Sequence, residues 1–224
     1  MGKTMVDNVH APAVFQIEVG PFNYFAGDPS SDAGKKLLAA LEPNRLVMPS
    51  GEGWIEAIQA KFKEDMIGFD RYRFSADSLS RTDLQTLIDA SPLAHHAKQI
   101  DLNFAEQIWG TDFFIDLGDY ESAVDFCERG VGYYFEEKGE AVGGAYASLV
   151  CSEGIEVSLF VKETHRQRGI ATLLSGKLLL WCLERGLSPN WDAANPISCK
   201  LAEKLGYTPN GTYRAFYIRP SSSS

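Results

Sequence analysis

The segment "THRQRGIATLL", Thr164–Leu174, joins cationic side chains to a glycine and a helical pattern. Arg166–Ala171 fits a pattern of Arg or Gln, two residues, Gly, one residue, and Gly or Ala. The start of a helix favours anions through its free N–H groups and dipole, and glycine allows the backbone to approach a ligand closely. The segment therefore predicts a phosphate-binding loop, with a basic loop that binds no ligand as the alternative.

Two common nucleotide-binding motifs do not explain this loop. The lysine and Ser/Thr of a Walker A motif are absent, and the chain contains no G-x-G-x-x-G. Mononucleotide sites and Rossmann-type dinucleotide sites are therefore disfavoured.

The loop lies between a predicted strand and a predicted helix. Gly154–Val161 alternates between two kinds of side chain, as a strand with two different faces does. Upstream, two β-rich runs flank Glu137–Glu140, which predicts three consecutive antiparallel strands. Downstream, Ala171–Arg185 has an apolar stripe and is followed by Gly186, which predicts a helix with a glycine cap.

The pattern after this helix continues to alternate strands and helices. Leu187–Asp192 predicts a short strand, and a helix is predicted between an Asn195 cap and a Gly206 stop. Tyr207–Arg219 predicts a closing hairpin with a Pro-Asn-Gly turn at 209–211. Together these elements predict an α/β or α+β fold.

The first 95 residues carry no recognisable chemistry and are predicted to form a smaller α+β domain that ends near Ser91-Pro92. Its predicted β-rich pieces are Val14–Val19 and Arg71–Phe74. The predicted helices are Asp32–Leu41, Glu52–Phe62 and Ser80–Ala90.

Composition narrows the class of protein. The chain has 224 residues, 45% of them hydrophobic, and a formal net charge of -9, which indicates a globular protein and disfavours nucleic acid as a partner. No apolar run reaches the length of about 20 residues that spans a membrane, and the first ten residues lack the apolar core of a signal peptide. The four cysteines show no metal-ligand spacing, so we expect reduced thiols, no metal and a cytoplasmic location.

Two longer segments carry a resemblance to a known family. "VSLFVKETHRQRGIATLL" followed by "LSPNWDAANPISCKLAEKLGY" resembles the GNAT acetyltransferase superfamily, and this similarity covers about Gln99–Arg219. "WDAAN" at Trp191–Asn195 and "YFAGDP" at Tyr24–Pro29 resemble the bacterial branch that includes the zwittermicin A resistance acetyltransferases. The resemblance implies a mixed, mostly antiparallel sheet flanked by helices. The acetyltransferase domain would be 96–220, after the domain 1–95 and before a flexible tail at 221–224.

The resemblance implies acetyl-CoA as the cofactor. Its pyrophosphate would lie on the N–H groups of residues 167–172, and its pantetheine arm would run between the strands 155–161 and 187–191 like an added strand. Asn195 and Ser198 would lie near the arm and the thioester, with a plain helix cap and a packing residue as the respective alternatives. The cofactor-binding residues expected in this way are Leu159, Phe160, Val161, Arg166, Gln167, Arg168, Gly169, Ile170, Ala171, Thr172, Asn195 and Ser198.

Acetyl transfer to an amine needs a base, because an alkyl ammonium has a pKa of about 10.4. Glu156 is the candidate, since it precedes the loop on a predicted strand, and a solvated strand residue is its alternative role. A backbone N–H near Phe160 or Val161 would hold the oxyanion.

The leaving thiolate benefits from a proton donor. Many members of the superfamily supply a tyrosine in the last helix, but Ala202 occupies that place in "LAEKLGY". Ser198, Tyr207 or water is expected to substitute for it.

The sequence thus predicts an acetyl-CoA-dependent N-acetyltransferase that acts on a primary amine of a small molecule, and family analogy alone suggests an antibiotic and a role in antibiotic resistance. A non-catalytic CoA or acetyl-CoA sensor and a protein N-acetyltransferase are the alternatives. No nucleic acid or membrane partner is expected, and a homodimer is left open.

Overall fold

The computed structural model describes residues 2–113 and 120–220. Its strands are β1 (Lys3–Val6), β2 (Phe15–Val19), β3 (Phe22–Ala26), β4 (Arg45–Pro49), β5 (Met66–Ser75), β6 (Ala97–Gln99), β7 (Gly132–Glu137), β8 (Glu140–Val150), β9 (Gly154–Val161), β10 (Ser188–Ala193) and β11 (Thr208–Ile218). Its α-helices are α1 (Asp32–Ala40), α2 (Glu52–Phe62), α3 (Arg81–Asp89), α4 (Leu102–Ile108), α5 (Ala123–Arg129), α6 (Ile170–Glu184) and α7 (Pro196–Leu205).

These elements form two compact units. The terminal unit joins Met1–Arg71 to Thr212–Ser224, and the central unit is Tyr72–Gly211. The chain passes from one unit to the other inside β5 and inside β11. The predicted domain limit between residues 95 and 96 does not coincide with this division and stays a prediction.

The terminal unit is a sheet covered by two helices. β1, β2 and β3 are antiparallel neighbours, β4 runs parallel to β3, and the last residues of β11 pair antiparallel with β4. Trp54 and Ile58 of α2 are fully buried against Val47 of β4 and Phe216 of β11. The Trp54 Nε1 also donates a hydrogen bond of 2.9 Å to the carbonyl of Gly27, which anchors α2 to the loop after β3.

The carboxyl end of α1 is stabilised by a lysine from α2. Lys61 Nζ donates to the carbonyl oxygens of Leu38, Ala39 and Leu41 at 2.6, 3.0 and 2.9 Å. Desolvation lowers the pKa of Lys61. A cation at this position compensates the negative end of the helix and satisfies carbonyls that have no partner within it.

The central unit is a sheet in the order β5, β10, β9, β8, β7, β6. Only the β9–β10 pair among these is parallel. α6 lies on one face, where Leu174 and Leu178 pack with Phe135 of β7 and Val142 of β8. The mixed, mostly antiparallel sheet flanked by helices confirms the predicted fold class.

Most predicted elements around the loop are present. β9 occupies the predicted residues, α6 and β10 differ from their predicted bounds by one residue at each end, and α7 begins after Asn195 and ends at Gly206. The prediction of a closing hairpin at 207–219 is wrong, because β11 runs through Thr208–Ile218 without reversing. Gly211 has φ of 96° there, so the glycine allows a local irregularity within one strand instead of a turn between two.

No helix within residues 2–113 and 120–220 has the length and apolar character needed to cross a membrane.

The parallel contact between β9 and β10 depends on a glycine. A Cβ atom built on Gly154 would lie 2.0 Å from the backbone oxygen of Ser188, its partner in the register. Gly154→Ala is therefore expected to lower the free energy of unfolding by about 2 to 4 kcal/mol, since a backbone neighbour cannot move aside cheaply.

Chemical denaturation of the purified protein measures this loss. Gly53→Ala is the control, because its Cβ would meet only Pro29 side-chain atoms, the nearer at 3.2 Å, and it lies in α2. We expect that control to change stability by less than about 1 kcal/mol. Equal stability of the two variants would show that the β9–β10 contact tolerates a side chain.

Candidate active site

β9 and β10 pair over three residues and then separate. Their parallel register ends at the partners Glu156 and Asn190. From Trp191 onward β10 pairs with β5 instead, while β9 continues to Val161 with β8 on its other edge. Within the described residues, the edge of β9 that faces β10 has no strand partner after Glu156. A strand edge of this kind offers backbone N–H and C=O groups to an extended ligand.

The predicted phosphate loop follows directly from the end of β9. Gln167 and Gly169 have positive φ angles of 62° and 82°, and Gly169 is the N-terminal cap of α6. No side chain caps this helix, and a Cβ on Gly169 would meet no atom within 4 Å. The first N–H groups of α6, at Ile170, Ala171 and Thr172, have no acceptor within the helix. The loop therefore presents free donors next to open space.

Acidic side chains from the β7–β8 turn hold the cations of this loop. Arg168 donates to both carboxylate oxygens of Glu137, at 2.9 and 2.6 Å, and His165 Nε2 lies 3.1 Å from the same carboxylate. Glu140, on the other side of the turn, forms an ion pair with Lys162. We call Glu137 and Glu140 with their three partners the acidic clamp.

The clamp fixes the charge state of its central carboxylate. Hydrogen bonds from Arg168 lower the pKa of Glu137 from 4.5 to about 2. Glu137 is therefore ionised throughout the neutral range, and it orients the guanidinium while offsetting its charge.

The second arginine of the loop is also engaged. Arg166 Nε donates to the carbonyl of Val161 at 3.2 Å, and its Nη1 lies 3.2 Å from Glu163. Its side chain remains 59% exposed, against 38% for Arg168. Both predicted arginines thus lie at the loop, and an anion there would share each of them with a glutamate.

The start of α7 is organised by Asn195 and Trp191. Asn195 Oδ1 accepts a hydrogen bond of 3.0 Å from the Ser198 N–H, so the asparagine does act as the helix cap. Trp191 Nε1 donates to Ser198 Oγ at 3.1 Å. Since the indole can only donate, the hydroxyl proton of Ser198 is left available for another acceptor.

Trp191 is buried in the hydrophobic core of the central unit. It is 3% exposed and packs in the core with Phe74 and Tyr207. Its role in the structure is to orient Ser198, which the sequence did not suggest because the two residues meet only when α7 folds back on β10.

Tyr207 is buried, and its hydroxyl is hydrogen-bonded to the backbone. It is 4% exposed, its hydroxyl donates to the carbonyl of Pro189 at 2.8 Å, and burial raises its pKa well above the ordinary value. This placement favours holding β10 in position over proton donation. Ala202, which replaces the tyrosine of related sequences, is fully buried and leaves no polar group at that place.

Glu156 lies where β9 and β10 separate. Its carboxylate accepts a hydrogen bond from the side-chain amide of Asn190, its partner in the register. Asn190 and Trp191 are consecutive on β10, so their side chains point to opposite faces of the sheet. The contact of Asn190 with Glu156 therefore lies on one face, and the contact of Trp191 with Ser198 lies on the other. Asn190 was not anticipated, since its register with Glu156 depends on pairing across more than thirty residues.

The remaining predicted residues lie along the unpaired strand edge. Leu159 and Val161 of β9 pack towards the core that contains α6. Phe160 points to the other face, where the centroid of its ring lies 4.7 Å from that of Phe113. The free edge, the uncapped helix start and the two arginines fit an extended ligand that carries a pyrophosphate.

The chain belongs to the GNAT acetyltransferase family, whose sequence model matches residues 1–216. Members of this family are N-acetyltransferases that use acetyl-CoA. This confirms the predicted family, enzyme class and cofactor, while the assignment of individual site residues stays a prediction.

Three similar proteins illustrate this membership. A GCN5-related N-acetyltransferase-like protein from Streptococcus suis is 32% identical, with a TM-score of 0.85 over 98% of this chain and 89% of that one. An uncharacterized N-acetyltransferase from Bacillus subtilis, YdfB, is 22% identical over 75% of this chain, and the match spans 64% of its own length. A GCN5-related N-acetyltransferase from Kribbella flavida, 15% identical with a TM-score of 0.59 over 98% of this chain and 90% of that one, shares the fold.

The acidic clamp makes a prediction about titration. Because the pKa of Glu137 is depressed by Arg168, the stabilisation from this pair is complete above pH 4.5 and is lost as the pH falls towards about 2. In Arg168→Gln we expect the Glu137 pKa to move back towards 4.5, since the largest cause of the shift is gone.

Carboxyl carbon NMR of labelled protein measures this pKa directly. Arg185→Gln is the control, because that arginine contacts Glu184 at the far end of α6. An unchanged Glu137 titration in Arg168→Gln would contradict the pairing.

Proposed function

We propose that this protein transfers the acetyl group of acetyl-CoA to a primary amine of a small molecule. The observation that carries the proposal is the position of Glu156, a carboxylate at the point where β9 and β10 separate and expose the edge of β9. A base at this position lies beside the path expected for the thioester. Acetyl-CoA, when bound, supplies the acetyl group as an activated thioester.

In this proposal the cofactor is held by backbone groups more than by side chains. The N–H groups of residues 167–172 bind the pyrophosphate, assisted by Arg166 and Arg168. The edge of β9 at Leu159, Phe160 and Val161 pairs with the pantetheine arm. Binding needs no rearrangement of α6, because its first turn is already free of a side-chain cap.

Glu156 would act as the base and Ser198 as a hydrogen-bond donor to the leaving thiolate, which takes its proton from water after the C–S bond breaks. Glu156 takes a proton from the acceptor ammonium, directly or through water, and the Asn190 amide keeps its carboxylate oriented. Ser198 donates the hydrogen bond that its contact with Trp191 leaves free, towards the leaving sulfur. A backbone N–H near Phe160 or Val161 stabilises the oxyanion.

The face of β9 that carries Glu156 supports a small acceptor. Phe160, four residues further along β9, shares this face, and the ring of Phe113 packs edge-on against the ring of Phe160. This face is partly covered, which suits a small amine better than the surface of a folded protein. The net charge of -9 favours a cationic acceptor of this kind, and an amine-containing antibiotic within the zwittermicin A resistance branch remains our proposal for its identity.

Calorimetric titration with acetyl-CoA is the first test, and Gly169→Asp is its decisive variant. An aspartate at this position places a carboxylate where the pyrophosphate would bind, and the positive φ of 82° at this residue strains its backbone. We expect the Kd for acetyl-CoA to rise at least about tenfold, which is about 1.4 kcal/mol.

Gly186→Asp is the matched control at the other end of α6. Gly186 also has positive φ, of 71°, and a Cβ there would meet no atom within 4 Å, so both variants carry similar backbone strain. Affinity close to that of the unmodified protein is expected for this control. Equal affinity of the Gly169→Asp and Gly186→Asp variants would remove the loop from the cofactor site.

Glu156→Gln tests the base. We expect kcat to fall by about 10² to 10⁴ and the dependence of kcat on pH to change, because a base acts on the acceptor. The Kd for acetyl-CoA should stay within twofold. Glu153→Gln, a carboxylate in the turn before β9, should leave both constants unchanged. A Glu156→Gln enzyme with the same pH profile as the unmodified one would exclude this residue as the base.

The acceptor is identified by assaying thiol release across a set of small primary amines. Release that depends on an amine and yields its N-acetyl product supports the proposal. Tight acetyl-CoA binding with no turnover beyond hydrolysis would instead indicate a sensor, and acetylated protein in a treated lysate would indicate a protein acceptor.

A further inference from the structure

The sheet of the terminal unit carries its helices on one face. Both α1 and α2 pack against the face that contains Phe25, Val47 and Phe216. In the central unit, by contrast, α6 covers one face, and α4 and α5 cover the other through Phe104 and Phe126. Within the described residues, no core cluster places a helix of the terminal unit on the second face of its sheet.

The side chains of this second face are large and apolar. The pairing register identifies them, because successive strand residues point to opposite faces. The larger ones are Phe15 and Ile17 of β2, Phe22 and Tyr24 of β3, Leu46 of β4 and Tyr217 of β11. We call these six side chains the open face.

The open face is accessible and belongs to no core of this chain. Ile17 is 38% exposed, and the other five side chains are half-buried. Across residues 2–113 and 120–220, none of the six is part of a hydrophobic core cluster. The structure therefore leaves this apolar surface without a packing partner among the described cores.

The charges of the same strands lie on the opposite face. Lys3, Glu18 and Arg45 point to the side of the sheet that α1 and α2 occupy. A sheet with one face in water normally carries its apolar residues on the covered face and its polar residues on the solvated face. The terminal sheet has the reverse arrangement of charges, which indicates that another apolar surface covers its open face.

The size of the open face fits the centre of a protein interface. Five strands about 4.8 Å apart, each contributing about five residues of 3.4 Å, give a flat area of roughly 400 Å². An apolar patch of about 300–600 Å² on a protein surface is often functional. A standard interface buries about 800 Å² per partner, as an apolar core within a polar rim. The open face supplies about half of that area as the core.

A second copy of the chain suits this face better than a charged partner. The six side chains carry no charge, so two open faces meet without an unpaired charge between them. The formal net charge of -9 resides on other surfaces, which a contact through the open faces leaves in water. Interfaces between identical chains are also the more apolar kind, and a two-fold axis brings the same patch of each copy together.

We propose that the open face is the contact between two copies of this chain, which pack their terminal sheets face to face about a two-fold axis. Sheets packed in this way lie about 10 Å apart with their strands within about 30° of each other. Ile17 and Tyr24, which are partners in the register of β2 and β3, lie at its centre. The contact uses the terminal unit alone and does not depend on the acetyl transfer proposed above.

Sedimentation equilibrium of the full chain is the first test. Because the apolar core is about half of a standard interface, we expect a dimer with a Kd in the micromolar range, of about 1–50 µM. The particle should have twice the mass of one chain at about 200 µM and should dissociate on dilution. The mass of a single chain at that concentration would overturn the proposal and leave the open face to a different partner.

Ile17→Lys tests the face itself. It would place an unpaired ammonium from each copy in the apolar centre, so the Kd of the dimer should rise at least about tenfold. Ile197→Lys is the matched control, because it makes the same substitution and the same change of net charge at a residue of α7 that is 79% exposed. This control should keep the Kd within about twofold. Equal Kd values for the two variants would show that the copies meet elsewhere.

NMR of the unmodified chain locates the contact without any substitution. In a mixture of copies with labelled isoleucine methyl groups and unlabelled copies, the Ile17 methyl should show nuclear Overhauser effects to aromatic protons of the other copy. The Ile197 methyl should show none. A dimer in which the Ile17 methyl has no contact with the other copy would overturn the proposal. Since this measurement needs no variant, poor folding of Ile17→Lys would leave the test intact.

Discussion

The central unit depends on the fact that one short strand, β10, changes neighbours along its length. Its first three residues pair with β9, and its last three pair with β5. Gly154 permits the first contact, because any side chain there would collide with the Ser188 carbonyl. Tyr207 secures the same region by donating to Pro189, a residue that has no N–H of its own to contribute to the sheet. The unpaired edge of β9 is the geometric result of this change.

The acidic clamp and the glycine cap perform different tasks in the same loop. Gly169 keeps backbone donors uncovered, whereas Glu137 holds Arg168 and His165 in fixed places. A loop made of glycine alone would be mobile, and free arginines would sample many rotamers. The glutamate limits that freedom and weakens the local positive potential, so the site combines order with moderate anion attraction.

Local signals in the sequence predicted the elements that carry the site. Apolar alternation identified β9, and Asn195 and Gly206 marked the ends of α7. Long-range pairing was not visible in this way: Asn190 beside Glu156 and Trp191 beside Ser198 both depend on how β10 is placed. The closing hairpin was predicted wrongly because long-range pairing was again not visible. The Pro-Asn-Gly segment favours a turn locally, but it lies within β11, whose last residues pair with β4.

β11 also gives the terminal unit an order of assembly. Residues 216–218 of β11 pair with residues 45–47 of β4, so the sheet of the terminal unit is closed by a strand encoded far downstream. During synthesis, β4 therefore emerges with one edge uncovered and remains so until the whole central unit has left the ribosome. Closure of a loop this long is entropically costly and slow compared with local contacts. The terminal unit is consequently completed last, although most of its residues are translated first.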